Sequence, residues 1–193
     1  MKLKTLSTSI LVAGLALGSP ALMAADYVID TKGAHASIKF RVQHLGYSWL
    51  YGRFNEFSGK FSYDENAKEK SSVEVSIKTN SVDSNHAERD KHLRGDDFLD
   101  VAKFPQAKFI SSSYRPGKDG TGILKGKLTL HGVTKPVEIE MHSIGEGKDP
   151  WGGYRAGFEG KTRFAMSDFG IMKNLGPKSK DVEMILSVEG IRQ

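Results

Sequence analysis

The stretch FRVQHLGYSWLYGRF, residues 40–54, carries the strongest structural signal in this chain. Its first part alternates, with Phe40 and Val42 in one phase and Arg41 and Gln43 in the other. Such alternation is typical of a strand with one buried face. The alternation stops at His44, where aromatic residues, leucines and a glycine predict a loop that runs to about Leu50.

A second aromatic strand is predicted after Gly52. It carries Phe54, Phe57 and Phe61, and the phase slips between the first two, which predicts a β-bulge near Asn55 and Glu56. Two aromatic strands joined by an apolar loop can form the mouth of an apolar cavity. A well-packed hairpin corner explains the same pattern, and both interpretations stay open.

The rest of the chain repeats this alternation in short segments separated by turn signals. The run from Val137 to Met141 alternates with glutamates, and Asp119-Gly120 signals a hairpin. About eight or nine such segments predict an all-β fold, either an antiparallel barrel or a sandwich. No internal repeat or linker interrupts them, so we predict a single domain over residues 25–193.

One helix is predicted between two of the strands. Asn85 and Glu88 resemble a capping box, and Gly95 predicts a left-handed helix end, which places the helix over residues 86–94. Leu93 is its only large apolar residue. We therefore expect this helix to lie over an opening or a strand edge. The apolar residues that follow should pin it there, namely Phe98, Leu99, Val101 and Phe104.

The first 24 residues have the pattern of a cleavable signal peptide. Lys2 and Lys4 precede an apolar run over residues 10–17, and small residues follow Pro20. The run is too short to cross a membrane as a helix. We predict cleavage after Ala24 and export of the remaining chain.

Composition excludes several kinds of function. The chain has no cysteine, which excludes disulfides, thiol catalysis and thiolate metal sites. The formal net charge of +5 falls when Lys2 and Lys4 are removed, and the remaining charges alternate in sign. We therefore expect no nucleic-acid binding, no stable membrane insertion and only weak attraction to a membrane surface.

Several small residues fall in the apolar phase of their strands. In a barrel, small inward residues leave interior space, as in ligand carriers. Glycines also allow strands to bend sharply at barrel corners, and this second explanation stays open. The residues concerned are Gly59, Gly126, Gly160, Ser111, Ser113 and Thr162.

The predicted helix also holds the densest group of chemically active side chains. His86 and Asp90 are four residues apart, as are Glu88 and His92, and either pair could hold a divalent metal. The two pairs lie on opposite sides of the helix, so they cannot easily share one ion. A solvated helix with local ion pairs explains the same residues.

The other histidines are isolated. His44 borders the apolar loop and could bond either a polar head group or a backbone carbonyl. We predict His131 and His142 to be surface residues. We find no nucleophile elbow and no phosphate-binding loop.

Four motifs resemble the YceI family of exported bacterial proteins. They are QHLGYSWLYG at residues 43–52, NHAERDKHL at 85–93, LTLHGVTKP at 128–136 and DPWGG at 149–153. The resemblance implies an extended, lipocalin-like antiparallel barrel in the periplasm that encloses a long polyisoprenoid, such as a ubiquinone-type or octaprenyl compound. It implies no catalysis and no cofactor, and a role in isoprenoid transport, storage or stress response.

We therefore predict a periplasmic binding protein whose barrel has about eight strands and one short inserted helix. The expected partner is a polyisoprenoid lipid or quinone, and a homodimer through an unpaired edge strand stays open. The alternative is a metal-dependent enzyme that uses the helix of residues 86–92. His44, His86 and Arg89 are predicted at a polar rim, and the apolar channel is predicted to be lined by Phe40, Val42, Leu45, Trp49, Phe54, Phe57, Phe61, Phe109, Leu128, Ile139, Met141, Phe158, Phe164, Met184 and Leu186.

Overall fold

The computed structural model describes residues 24–193. The predicted signal peptide, apart from Ala24, lies outside these residues. Within the described part the helix is α1, Ala87–Arg94. The strands are β1 Ala25–Ile29, β2 Ser37–His44, β3 Ser48–Phe54, β4 Phe57–Tyr63, β5 Ser72–Lys78, β6 Val82–Asp83, β7 Gln106–Pro116, β8 Thr121–Leu130, β9 Val133–Lys148, β10 Tyr154–Ala165 and β11 Asp181–Arg192.

These strands combine into a closed barrel with eight wall positions. Both β1 and β2 pair with β11, one after the other along its length, so they are two parts of one wall strand. In the same way β3 continues into β4, and β5 continues into β6. From β7 to β11 each strand pairs with the next, and all pairings are antiparallel. The predicted barrel of about eight strands with one inserted helix is confirmed.

The bulge predicted near Asn55 and Glu56 separates β3 from β4. The Asn55 amide donates to the Ser81 carbonyl at 3.0 Å, and the Lys78 amide donates to the Glu56 carbonyl at 2.9 Å. These bonds keep the wall continuous although the ladder is interrupted. One boundary differs from the prediction, because β3 begins at Ser48 and includes residues that we expected in a loop.

The barrel has two ends with different coverings. The end that we call the mouth carries the β2–β3 turn, α1, the β8–β9 turn and the segment between β10 and β11. The opposite end, which we call distal, carries the β4–β5, β7–β8 and β9–β10 connections. The mouth is therefore where long, irregular segments meet the barrel interior.

The inward glycines are covered by neighbouring side chains. A Cβ atom at Gly126 would collide with the Phe109 ring, and one at Gly160 would lie 3.0 Å from Cγ2 of Ile139. Phe40 lies in the same way over Gly52, its partner on β3. Rings over glycines of neighbouring strands are a known means of stabilising sheets. Of the two explanations that the sequence left open, interior space above the glycines therefore does not hold at Gly126 and Gly160.

Helix α1 begins one residue later than predicted. Its N-cap is His86, whose Nδ1 accepts a hydrogen bond from the Arg89 amide at 3.2 Å, whereas Asn85 turns the chain with a φ of 60°. Asparagine tolerates this left-handed conformation, so it serves as the turn residue before the cap. Gly95 has a φ of −72° and is extended, so the predicted left-handed end was also wrong. Within residues 24–193, no helix is long and apolar enough to cross a membrane.

Candidate ligand-binding cavity

An apolar cavity of about 510 Å³ occupies the mouth half of the barrel. Its size lies within the range of roughly 300–1,000 Å³ that is usual for small-molecule sites. Exposed His44 and Leu45 are among its lining residues, so the cavity reaches the surface at the mouth. The lining side chains are Phe40, Val42, Gln43, His44, Leu45, Leu50, Phe54, Ile77, Val82, Arg89, His92, Leu93, Phe98, Leu99, Ala107, Leu128, Leu130, Phe164, Met166, Ile171, Asn174, Leu175, Ser179, Val182 and Met184.

Helix α1 and the turn after it cover part of this cavity. Leu93 is the apolar contribution of α1, and the buried side chains of Phe98 and Leu99 follow it. This placement confirms that α1 lies over an opening rather than in the core. A polar helix suits the position, because only one face meets the apolar interior.

A buried carboxylate holds α1 in place. Asp90 accepts hydrogen bonds from the Ser84 amide at 2.7 Å and from the Ser84 hydroxyl. Arg89 donates from Nε to the same hydroxyl oxygen at 2.7 Å and from Nη2 to the Ser84 carbonyl at 2.6 Å. These bonds position the Arg89 guanidinium at the mouth, where it lines the cavity.

Ser179 joins two loops at the mouth. Its hydroxyl donates to the Gln43 carbonyl at 2.6 Å and accepts from the Leu45 amide at 3.2 Å. The side chain is buried, so these two bonds satisfy both backbone groups where water has little access. The β2–β3 turn is thereby tied to the segment that precedes β11.

A second apolar cavity of about 100 Å³ lies in the distal half. Consecutive inward residues of β11 separate the two spaces, because Met184 lines the first and Leu186 lines the second. Burial raises the pKa of Tyr63 in the second cavity to about 12, and burial also raises the pKa of Tyr114. Both phenols are therefore neutral at physiological pH.

Most of the predicted channel residues line one of these two cavities. Those at the first cavity are Phe40, Val42, Leu45, Phe54, Leu128, Phe164 and Met184, together with His44 and Arg89 of the predicted rim. Those at the second cavity are Phe61, Phe109, Ile139, Met141, Phe158 and Leu186. Whether a ligand contacts them stays a prediction.

Three predicted site residues lie elsewhere. Trp49 is on the outer face of β3, 38% exposed, with the Arg41 guanidinium 4.0 Å from its ring centroid. We expected a loop at this position, so strand alternation was not used to predict the direction of the Trp49 side chain. Phe57 packs between two core clusters without lining either cavity, and His86 caps α1. Trp49 and Phe57 therefore do not line the channel as predicted, whereas a rim role for His86, at the start of α1, stays a prediction.

The prediction that His131, at the β8–β9 turn, is a surface residue was also wrong. His131 is half-buried, its ring centroid lies 4.6 Å from that of Phe104, and its Nδ1 lies 3.2 Å from the Phe169 carbonyl oxygen. It therefore joins the turn to the segment after β10. His142 is exposed, as predicted.

Sequence reasoning missed the lining residues that lie outside regular alternation. Ile171 and Leu175 belong to the irregular segment before β11, where no period distinguishes inward from outward residues. Phe98 and Leu99 were expected to pin the helix but not to line a cavity. The sequence signal that could have identified Phe98 and Leu99 as lining residues was their apolar character within a polar segment.

The helix side chains that suggested a metal site have other partners. Asp90 bonds Ser84, His86 caps the helix, and Nε2 of His92 lies 3.1 Å from Oδ2 of Asp97. In the described part of the chain, the one group with metal-ligand spacing is Asp30, His35 and Glu189 on the outer wall. There the Arg155 guanidinium already lies 2.7 Å from Asp30.

A closed, up-and-down antiparallel barrel with an apolar cavity that opens at one end is the architecture of the lipocalin-like class of proteins. The chain belongs to the YceI family, since the model of the YceI-like domain matches residues 27–190.

Curated relatives and solved structures agree with this assignment. A UPF0312 protein of Shewanella denitrificans is 62% identical over 98% of this chain and 99% of its own length. The YCEI protein of Campylobacter jejuni is 28% identical, with a TM-score of 0.72 over 79% of this chain and 90% of its own. A polyisoprenoid binding domain from Saccharophagus degradans shares the fold, with a TM-score of 0.65 at 15% identity over 88% of this chain and 99% of its own.

Proposed function

We propose that this protein binds a long polyisoprenoid lipid, with the apolar chain in the mouth cavity and the head group at the mouth. The observation that carries the proposal is the apolar cavity of about 510 Å³ that reaches the surface beside His44 and Arg89. The Saccharophagus degradans domain, which shares this fold, supports the ligand class. The lipocalin-like barrel with its apolar cavity also favours binding over catalysis.

The chemistry of the cavity is sufficient for such a ligand. Each methylene group that leaves water contributes about 0.8 kcal/mol, so ten of them contribute about 8 kcal/mol before entropic costs. That free energy corresponds to roughly micromolar affinity. Apolar burial therefore holds the chain, and the polar mouth groups remain available to discriminate head groups.

Lipid mass spectrometry on protein purified without detergent tests this proposal. We expect a stoichiometric isoprenoid, either a ubiquinone-type quinone or an octaprenyl compound. Protein that carries no isoprenoid, and binds neither a quinone nor a prenol in titration, would contradict the proposal.

A cavity-filling substitution tests where the ligand lies. Val42 lines the cavity, whereas Val28 is exposed on β1, so Val42→Phe and Val28→Phe form a matched pair. We expect Val42→Phe to weaken lipid affinity at least tenfold, which corresponds to a loss of roughly 1.4 kcal/mol in binding free energy. Val28→Phe should bind lipid as the unchanged protein does. Circular dichroism controls for folding, and Leu130→Phe provides a second filled cavity.

Export to the periplasm and a role in isoprenoid transport, storage or stress response complete the proposal. The apolar run and small residues before Ala25 support export. N-terminal sequencing of protein from the periplasmic fraction should begin at Ala25, and an uncleaved cytoplasmic chain would contradict this part.

A homodimer through the edge of β3 belongs to the same proposal. Within the described residues β3 meets β6 only at Arg53 and Phe54, so its beginning has one edge without a strand partner. An unpaired edge of this kind can accept a second strand. Light scattering on the purified protein distinguishes a dimer from a monomer.

A further inference from the structure

Two loops at the mouth expose large apolar side chains. We call them the rim loops and define them as residues 45–47 and 170–180. Leu45 is 56% exposed, Tyr47 is 87% exposed and Met172 is 74% exposed. Apolar side chains that cluster on a surface, unlike scattered ones, usually mark a site of interaction.

The rim loops form one surface rather than two separate tips. Ser179 bonds both the Gln43 carbonyl and the Leu45 amide, as described above. The Lys178 side chain packs beside Gly46, where a Cβ would lie 3.4 Å from its Cγ. A Cβ at Gly176 would lie 3.9 Å from Cδ2 of Leu45.

The same surface carries positive charge. Lys178 and Lys180 are exposed, and in the part of the chain that the structure describes neither forms an ion pair. Lys173 pairs with Asp97 at 2.6 Å and so contributes less. The net charge of the whole chain conceals this local concentration, which is why composition indicated only weak attraction to membranes.

We propose that the rim loops dock on an anionic phospholipid surface, with the apolar side chains in the head-group region and the two lysines beside lipid phosphates. Tyrosines together with basic residues are typical of segments that lie at membrane interfaces. The purpose of docking rests on the proposed function, because the loops surround the opening through which a water-insoluble ligand passes. When the protein is docked by these loops, its cavity opens directly to the lipid phase.

A second copy of this chain fits the rim loops less well. A two-fold contact places the same patch against itself. Lys178 and Lys180 would then face lysines of the partner copy, and like charges across an interface oppose association. An anionic membrane complements both the apolar and the charged part of the surface.

Vesicle flotation with the purified chain tests the proposal. We expect binding to vesicles of phosphatidylethanolamine and phosphatidylglycerol, weaker binding to phosphatidylcholine, and loss of binding at high salt because screening weakens surface charges. No binding to the anionic vesicles would overturn the proposal.

Paired variants separate the apolar and charged contributions. Lys178→Gln with Lys180→Gln should lower the partition coefficient, with each lysine accounting for roughly fivefold. Tyr47→Ser with Met172→Ser should lower it on both kinds of vesicle. Ile144→Ser and Lys118→Gln change exposed residues near the distal end and should bind as the unchanged protein does. Equal losses in these controls would overturn the proposal.

The two tryptophans report the orientation of the bound protein. Trp49 lies near the mouth and Trp151 in the β9–β10 connection at the distal end. In the Trp151→Phe variant, brominated lipid should quench the remaining fluorescence. In the Trp49→Phe variant it should not, and quenching of Trp151 instead would overturn docking by the mouth.

Lipid analysis on the same samples keeps the two proposals apart. Retained isoprenoid without vesicle binding would overturn docking and leave the proposed function intact. Vesicle binding that depends on the rim loops, in protein that retains and takes up no isoprenoid, would support docking and contradict the proposed function. Association of the protein with itself through Tyr47, without vesicle binding, would assign the surface to a second copy and overturn docking.

Discussion

Arg155 is the residue with the most charged partners on the outer wall. Its Nη1 lies 2.7 Å from Oδ2 of Asp30, and its Nε lies 2.8 Å from Oδ2 of Asp149. It also pairs with Glu189 on β11, and His35 bonds Asp30 at 2.9 Å. One side chain therefore joins the end of β1, the β9–β10 connection and the last strand.

These contacts shift the pKa of the carboxyl group at their centre. The hydrogen bond from His35, followed by those from Arg155 and the Gly33 amide, holds the pKa of Asp30 well below its usual range. Hydrogen bonds to Asp149 lower its pKa in the same way, and the bond from Arg155 is the largest cause. Since the Asp30 side chain is only 5% exposed, little water is available to replace a lost partner.

We predict that Asp30→Asn lowers the free energy of unfolding by about 2 kcal/mol at pH 7. A carboxyl with a lowered folded-state pKa stabilises the fold above its unfolded pKa of roughly 4, and this contribution disappears as the pH falls toward the folded value. The difference between the two proteins should therefore shrink below about pH 4. Urea denaturation at pH 7 and pH 3 measures it.

The exposed Asp26 provides the control for this prediction. Asp26→Asn should leave the free energy of unfolding within about 0.5 kcal/mol of the original at neutral pH. A difference for Asp30→Asn that stays constant across this pH range would contradict the assigned role of the carboxylate.

At the scale of single elements, the mouth is built from irregular segments held by a few polar contacts. Asp90 fixes α1 through Ser84, and Ser179 fixes the rim loops. Neither contact follows from strand or helix periodicity. Each one places an element that borders the opening of the cavity.

We predict that Ser179→Ala destabilises the protein by about 1–2 kcal/mol, because it removes two partly buried hydrogen bonds, one to the Gln43 carbonyl and one from the Leu45 amide. Hydrogen exchange should accelerate most at the Leu45 amide, whose acceptor is lost. The exposed Ser58 on β4 gives the matched control, Ser58→Ala. Unchanged exchange at Leu45 in the Ser179 variant would show that the loops hold together without this hydroxyl.

At the scale of the whole molecule, barrel closure creates the interior. The last strand pairs with β10 on one edge and with both β1 and β2 on the other, which leaves it no free edge over these lengths. Closure is a common solution for antiparallel sheets, because it removes edges that would otherwise associate. The cavity at the mouth is the part of this interior that side chains do not fill.

We predict that removal of the bound lipid lowers the melting temperature. A ligand that binds only the folded protein stabilises it by about 2.7 kcal/mol at a free concentration one hundred times its Kd. Calorimetry before and after delipidation should show the decrease, and added quinone or prenol should reverse it. The Val42→Phe protein should show little change, and an equal decrease there would place the ligand outside the mouth cavity.

The strand pattern was readable from the sequence because a half-buried strand must alternate. Phe40 and Val42 predicted β2, and the phase slip after Phe54 predicted the bulge at Asn55 and Glu56. The polar face of α1 predicted its place over an opening. These features depend on local periodicity, so they require no knowledge of distant parts of the chain.

Where the interior is empty depends on packing between distant residues, which alternation does not encode. Phase places Gly126 on an inward face, but the Phe109 ring of the neighbouring strand covers it. Trp49 belongs to β3, where it alternates with the inward residues Leu50 and Phe54 and so lies on the outer face. Arg155 meets Asp30 and Glu189 only when the barrel closes. Local periodicity thus specified the wall of this barrel, whereas contacts across the closed sheet specified its cavity and its charged cluster.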